Sequence, residues 1–272
     1  MKIKLYPFTY AFILFAAMSC RKLNNYSNIK GEVLKEWKST LSSENENHIN
    51  GGSETTASLN FQVLSDNSIQ FDINVDSSTD KILKTQINLG DPVTDGPVIY
   101  ELPARIANSY ISGVIKGIRQ SLIDTLLDDS IDKYINVISE NAPNGLVRGQ
   151  LNTEVVFSKN VALSGDKVVP SVPTTSTGIA YLRITAGKTL YSKVTVNNIE
   201  NTDPVTSAAI NQGIEGANGS EIITLAASDA DFETGKKLAL SDAEYGALST
   251  SNYVIVTSVQ HTNGKLRGQV RE

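Results

Sequence analysis

Few side chains in this 272-residue sequence can do chemistry, and their types and places narrow what that chemistry could be. There are two histidines, His48 and His261, and a single cysteine, Cys20. A metal centre for redox or hydrolysis needs several imidazoles or thiolates converging on one ion, which this inventory cannot supply, so no metal or other cofactor is expected. A hydrolytic nucleophile needs a base, usually histidine. His48 falls in the polar tract SSENENHINGG at 42–52 and is expected to be solvated, while His261 falls in a hairpin loop and is expected to be exposed. No catalytic residue is therefore assigned. Carboxylates are better grouped: Asp124, Asp128, Asp129 and Asp132 crowd one stretch, and Asp76 and Asp80 flank a Ser-Ser-Thr loop. Neither spacing is that of an EF-hand loop. The Asp124 to Asp132 group stands as a weak calcium alternative to solvated or capping carboxylates.

Composition excludes more. The formal net charge is -5, and basic residues are dispersed. A surface that tracks phosphates needs the opposite balance, so nucleic acid is not an expected partner. The Gly-rich stretches lack the strand-to-helix spacing of a phosphate cradle.

What must position any site is a β module written twice. YINVISENAPNGLVRGQ (134–150) and YVIVTSVQHTNGKLRGQ (253–269) lie 119 positions apart and share a Tyr, an alternating apolar run, Asn-Gly and Arg-Gly-Gln. A period this long signals a duplicated domain, because solenoid repeats are about 20–50 residues. Upstream, Leu59, Phe61 and Val63 alternate, then Ile69, Phe71, Ile73 and Val75; in the second half Ala180, Leu182 and Ile184 precede Leu190, Val194 and Val196. Period 2 predicts hairpins with one buried face. Next come QINLGDPVTDGPVI (86–99) and AINQGIEGANGSEI (209–222), in which Asn88 and Asn211 can bond the loop backbone. Tyr134 and Tyr253 open the closing motif, and Arg148 and Arg267 within it are expected to lay their stems over the sheet edge and offer their guanidinium groups to carboxylates or loop carbonyls. Gly149 and Gly268 then permit close approach of a neighbour. Each half also carries an insertion. Apolar residues across Ile106 to Leu127 fall at largely helical spacing and predict a helix broken near Gly113 or Gly117; Ala227 to Thr250 predicts shorter helices or turns over a sheet edge.

The amino terminus reads as an export signal. Lys2 and Lys4 precede an apolar run, Phe8 to Met18, shorter than the about 20 residues of a membrane-spanning helix. Ala17 and Ser19 before Cys20 resemble the bacterial lipobox, with Ala17 where Leu is usual. That resemblance implies a lipoprotein signal peptide at 1–19 and lipidation of Cys20, leaving a mature net charge of -7. Residues 20–52 are expected to be a polar tether, with Leu34, Trp37 and Leu41 on one face of a short helix. The domains are placed at 53–151 and 152–272, with almost no linker between them.

The closing segments resemble the CHRD domain, a β-sandwich module first described in chordin, which often ends in a YVNVHTxxNPxGEIRGQ-like sequence. Its middle segment, near AAHIHGGAAGENGPVV, is echoed at 208–222 and more faintly at 85–99. The resemblance implies an all-β fold of two tandem antiparallel, Greek-key-like sandwiches, each with a partly helical insertion before its last hairpin. The family's paired histidines fall here on Gln86 and Asn88, and on Ala209 and Asn211. The histidine of its closing strand falls on Ile138 and Thr257, so a site built on those imidazoles is missing from both halves.

The expectation is a non-catalytic binding or structural module in a bacterial envelope lipoprotein. It would be held to a membrane, the outer one by preference, through its N-terminal lipid, with an envelope protein or a glycan as partner. Protein leads, because the single Trp, Trp37, falls outside the expected domains and leaves only Tyr rings as sugar platforms. The alternatives are a purely architectural envelope protein or a carboxylate-based enzyme.

Overall fold

The computed structural model describes residues 31–48, 54–76 and 80–272. The expected signal peptide and Cys20 lie outside the described residues. The first half contains β1 (Val33–Ser42), β2 (Thr56–Leu64), β3 (Ser68–Val75), β4 (Ile82–Leu89), β5 (Val98–Leu102), β6 (Arg105–Ala107), β7 (Tyr110–Ile115), α1 (Gln120–Leu127), β8 (Lys133–Ser139) and β9 (Val147–Gln150). The second contains β10 (Val155–Ser164), β11 (Thr177–Thr185), β12 (Thr189–Asn197), β13 (Val205–Gln212), β14 (Glu221–Ala226), β15 (Lys236–Ala239), α2 (Asp242–Ala247), β16 (Asn252–Ser258) and β17 (Leu266–Arg271).

Each half is one antiparallel sheet folded over on itself. The strand orders are β5-β4-β8-β9-β1-β2-β3-β7-β6 and β14-β13-β16-β17-β10-β11-β12-β15. They correspond strand for strand, apart from the extra β6–β7 hairpin edge in the first half and β15 in the second. In each, the two layers are joined through a single bridge, Ser42 to Arg148 and Ser164 to Arg267. Beyond the bridge the layers separate and enclose a core. In the first half, Leu59, Phe61, Phe71 and Ile73 of one layer meet Ile87, Ile135, Val137 and Val147 of the other. In the second, Leu182, Ile184, Val194 and Val196 meet Ile210, Ile223, Val254 and Val256. The alternation in sequence becomes this buried face because successive side chains of a strand point to opposite sides. Phe61 sits directly opposite Phe71, and Trp37 stacks at 5.6 Å from Phe61, a cross-strand aromatic ladder worth about 1 kcal/mol beyond its area.

Three expectations need correction. Residues 33–42 are a strand, where a tether with a short helix was expected. Trp37 and Leu41 enter the core while Leu34 is exposed, and a four-residue spacing fits both a helix and a strand when the residue between, Ser39, is polar. The first sandwich therefore begins before residue 53, and Trp37 belongs to it.

The helix expected across Ile106 to Leu127 is confined to Gln120–Leu127. Ile111, Gly113 and Ile115 instead face inward from β7. A Cβ on Gly113 would stand 2.7 Å from the Phe71 ring opposite, so the glycine required by packing concealed the strand period. Lastly, His48 is not merely solvated: its Nε2 lies 3.3 Å from Asp95 Oδ2. The second insertion does place α2 behind a Ser241–Glu244 capping box, and β15 covers the edge of β12.

Candidate functional site

The repeated closing motif builds the same clamp in both halves. In the first, the Arg148 guanidinium lies 3.5 Å over the Tyr134 ring. It donates to Asp95 Oδ1 (2.7 Å) and to the carbonyls of Asp91 (2.6 Å) and Thr94 (3.0 Å). Gln150 Nε2 donates to the Gly90 carbonyl at 2.9 Å, and Asn88 Nδ2 donates to the Gly96 carbonyl at 3.3 Å. Strand, stack and amide thus hold the Gly-rich loop between β4 and β5 at both ends.

In the second half, Arg267 lies 3.6 Å over Tyr253 and donates to the Ile214 carbonyl (2.8 Å) and Asn218 Oδ1 (3.3 Å). Gln269 Nε2 donates to Gly213 and Asn211 Nδ2 to Gly219, at 2.9 and 3.1 Å. Gly96 and Gly219 are required by closeness: a Cβ there would stand 2.0 Å from the Leu89 carbonyl oxygen and 1.6 Å from that of Gln212. Gly149 and Gly268 admit β1 and β10, since added Cβ atoms would meet Leu41 Cγ at 2.9 Å and the Ala162 carbonyl oxygen at 2.3 Å. Burial pulls the Arg267 guanidinium below its ordinary value, opposed by Tyr253 and Glu215. Arg267→Ala should cost about 1–2 kcal/mol, because it removes a buried cation stacked on Tyr253 and its bonds to the Ile214 carbonyl and Asn218; a thermal melt checks this, and an unchanged Tm would move Arg267 to a surface role.

The halves meet through a polar junction that the sequence did not reveal. Arg183 on β11 is fully buried and donates to five oxygens: the carbonyls of Lys159, Leu182 and Glu46, and the side chains of Asn160 and Asn47, at 2.7–3.3 Å. Asn160 Nδ2 also donates to the Glu46 carbonyl at 2.9 Å, and Ser158 bonds Asn45. Glu46 is 1% exposed, and its carboxyl lies so close over Gly145 that a Cβ there would meet it at 2.5 Å. Burial raises its pKa to about 8, against the pull of Arg148 and with a push from Asp95. Val168 takes the corresponding place in the second half, 3.3 Å from the Cβ position of Gly264. An apolar contact completes the junction: Val93, at the tip of the clamped first loop, is buried against Tyr181 and Tyr191. Residues 31–272 accordingly form one compact unit.

The remaining candidates disperse. Asp128 accepts from the backbone and hydroxyl of Ser130, Asp129 pairs with Lys35, and Asp124 accepts from Gln120. Among the described residues, no three His, Cys, Asp or Glu side chains come together as an ion would require. Asp76 accepts from Thr56, and Asp80 from Ser139 and Asn141.

His261 is only partly exposed, and it does contact a serine and an aspartate. Its Nδ1 lies 2.9 Å from Asp203 Oδ2 and 3.4 Å from Ser258 Oγ. One ring nitrogen faces both, whereas a catalytic triad needs opposite nitrogens for acid and nucleophile. Burial works against the charge of Asp203, but the Gln260 amide, Lys265, Ser258 and His261 outweigh it and hold the carboxyl well below its usual range. The set is a structural knot around buried Lys265, matched in the first half by Asp80 and Ser139.

The second half, from within β10 through the Arg267 clamp, is the region that matches a family model. Residues 160–270 match the CHRD domain family model. This CHRD-like fold covers one of the two sandwiches. Comparisons with curated proteins and with solved structures gave no match.

One open cavity adjoins the CHRD-like half. It is a cleft of about 470 Å³ where β1 and β9 separate, lined by Lys38 to Thr40, Asn45 and Gln150 to Val155. Glu154 is the only carboxylate among the residues lining this cleft. A smaller cleft of about 130 Å³, lined by Phe157, Ile184, Tyr245, Leu248 and Arg271, lies in the CHRD-like half.

Proposed function

We propose that the chain is a non-catalytic binding module of a bacterial envelope lipoprotein, carrying two tandem CHRD-like sandwiches that act as one rigid body. The observation that carries this is the repetition of both strand order and loop clamp, Tyr134–Arg148–Gln150 and Tyr253–Arg267–Gln269, on either side of a buried junction. A rigid pair of sandwiches presents loops and sheet edges at fixed spacing, and sites held together bind better than either alone. Attachment rests on the sequence: a lone Cys at the end of an apolar export signal is explained by thioether lipidation.

An envelope protein is favoured over a glycan as partner. Trp37, the one Trp, is buried against Phe61, and no aromatic ring lines the open cleft. Glu46 has the raised pKa of a possible general acid, but it is enclosed in the junction and has no second carboxylate across an open pocket.

Cys20→Ala should release the protein from the membrane to the soluble fraction, and unchanged membrane association would remove the lipid anchor. Capture from envelope extract on the immobilised chain should give one saturable partner. No saturable partner would favour a purely architectural role.

A further inference from the structure

We propose that the open seam between β1 and β9 binds an extended, uncharged peptide segment by strand addition to β1. This rests on the binding-module reading above and names its site and partner class. β1 pairs along its length with β2 but meets β9 only at Ser42. The Ser43 amide donates to the Thr55 carbonyl, so Ser43, Leu41, Ser39 and Trp37 turn their main-chain groups toward β2. Ser42, Thr40, Lys38 and Glu36 therefore turn theirs to the opposite edge. Ser42 finds Arg148 there, while among the described residues no strand pairs with the other three. Three main-chain positions without a strand partner on this edge, at two-residue spacing, are the repeat an added strand reads, about 6.8 Å apart.

The cleft in front of this edge is about 470 Å³. The equivalent seam of the second half is also joined at only one bridge, Ser164 to Arg267. There, however, β17 has six residues against four in β9, and Arg271 lies 4.1 Å over Phe157, with Tyr245 and Leu248 of the α2 segment alongside. The protein fills one seam with its own side chains and leaves the other open because the chain after Gln150 turns away into β10.

The lining sets the chemistry of the guest. Thr40, Thr153 and Asn45 add neutral polar groups, while Lys38 and Glu154 contribute one charge of each sign. Small neutral side chains such as Ser, Thr, Asn and Gly fit this wall, and a charged guest gains no net attraction. A sugar would look for an aromatic face, and none lines the cleft. Glu36 and Lys38 pair at 2.8 Å on the same strand, a charged guard that discourages edge-to-edge association of the whole protein.

The test uses the full chain, labelled with ¹⁵N at Lys and Thr and titrated with a capped hexapeptide of Ser, Thr, Asn and Gly. The Lys38 and Thr40 amides should shift and exchange more slowly with solvent, while Lys159 on the matching strand β10 should not respond. The same peptide N-methylated at alternate amides should bind at least ten-fold more weakly, since it can no longer pair with the edge. Thr40→Pro, whose lost amide faces the cleft and not β2, should weaken the parent peptide similarly. No response at Lys38 and Thr40, equal binding of the N-methylated peptide, or a response to a neutral hexasaccharide instead would each overturn the proposal. A saturable envelope partner captured while this edge stays silent would leave the binding module standing and place its site elsewhere.

Discussion

Arg183→Ala is expected to lower the unfolding free energy by about 3–5 kcal/mol, the largest effect of any single truncation outside the apolar cores. The residue is fully buried, and each terminal nitrogen serves at least two acceptors. Truncation strands Asn160 Oδ1 and Asn47 Oδ1 without this donor, opens a cavity, and loosens the tie from the second half to the Glu46 carbonyl. Burial, with Arg148 next, pulls the Arg183 guanidinium below its ordinary value, yet it stays charged at neutral pH. Its cost is offset by those five acceptors together with nearby acidic groups, Glu46 and Glu44 among them. Arg183→Met restores most of the volume without the donors and should recover only part of the loss. Urea unfolding followed by circular dichroism checks this, and a loss within about 1 kcal/mol for the Ala variant would mean that the junction is not held by Arg183.

Glu46→Gln should change how stability depends on pH. The folded carboxyl titrates at about 8 and the unfolded one at its ordinary 4.5. Below 4.5 both states hold the proton, and the stability contribution is fully present. As pH rises between the two values, the unfolded chain releases its proton and the folded one keeps it, so stability falls, by at most about 1.4 kcal/mol per unit. Above about 8 the folded state has lost it too, and the penalty is constant. The Gln variant has nothing to titrate there, so its advantage over the parent should grow by about 4 kcal/mol between pH 5 and pH 8.5. Unfolding midpoints of both proteins at these two pH values measure it. A difference that does not change with pH would contradict the enclosed, proton-holding state of Glu46.

The closing motif was legible because its residues act through side-chain chemistry no substitute performs. Tyr134 and Tyr253 give the face, Arg148 and Arg267 the flat cation, and Gln150 and Gln269 the amide that reaches the Gly-rich loop. The hairpins were legible for another reason, since Leu59 to Val75 bury every second residue; Ala180 to Val196 keep the apolar alternation, but Tyr181, Arg183, Tyr191 and Ser192 are buried on the other face as well, so the single buried face expected there does not hold.

Strand β1 was hidden by its own composition, with Ser39 at the inward position between Trp37 and Leu41. β7 was hidden by Gly113, whose absent side chain makes room for Phe71. Glu46 and Arg183 could not be joined from sequence: they are 137 positions apart, and a glutamate in SSENENH looks solvated. The folded register supplies the correspondence that the sequence lacks: β1 and β10 carry the same bulge, between Val33 and Lys35 and between Val155 and Phe157, 122 positions apart. Carried forward, that offset sets Glu46 beside buried Val168.

If the two halves are one module written twice, β1 must be as firmly built into the first sandwich as β10 is into the second. Hydrogen exchange of the full chain, resolved to peptides covering 33–42 and 155–164, measures this directly. Alternate amides of β1, those of Trp37, Ser39 and Leu41 that face β2, should be protected as strongly as their β10 counterparts Lys159, Val161 and Leu163. Exchange of the whole 33–42 segment at the rate of an unstructured chain, with 155–164 protected, would show a tether where a strand is required.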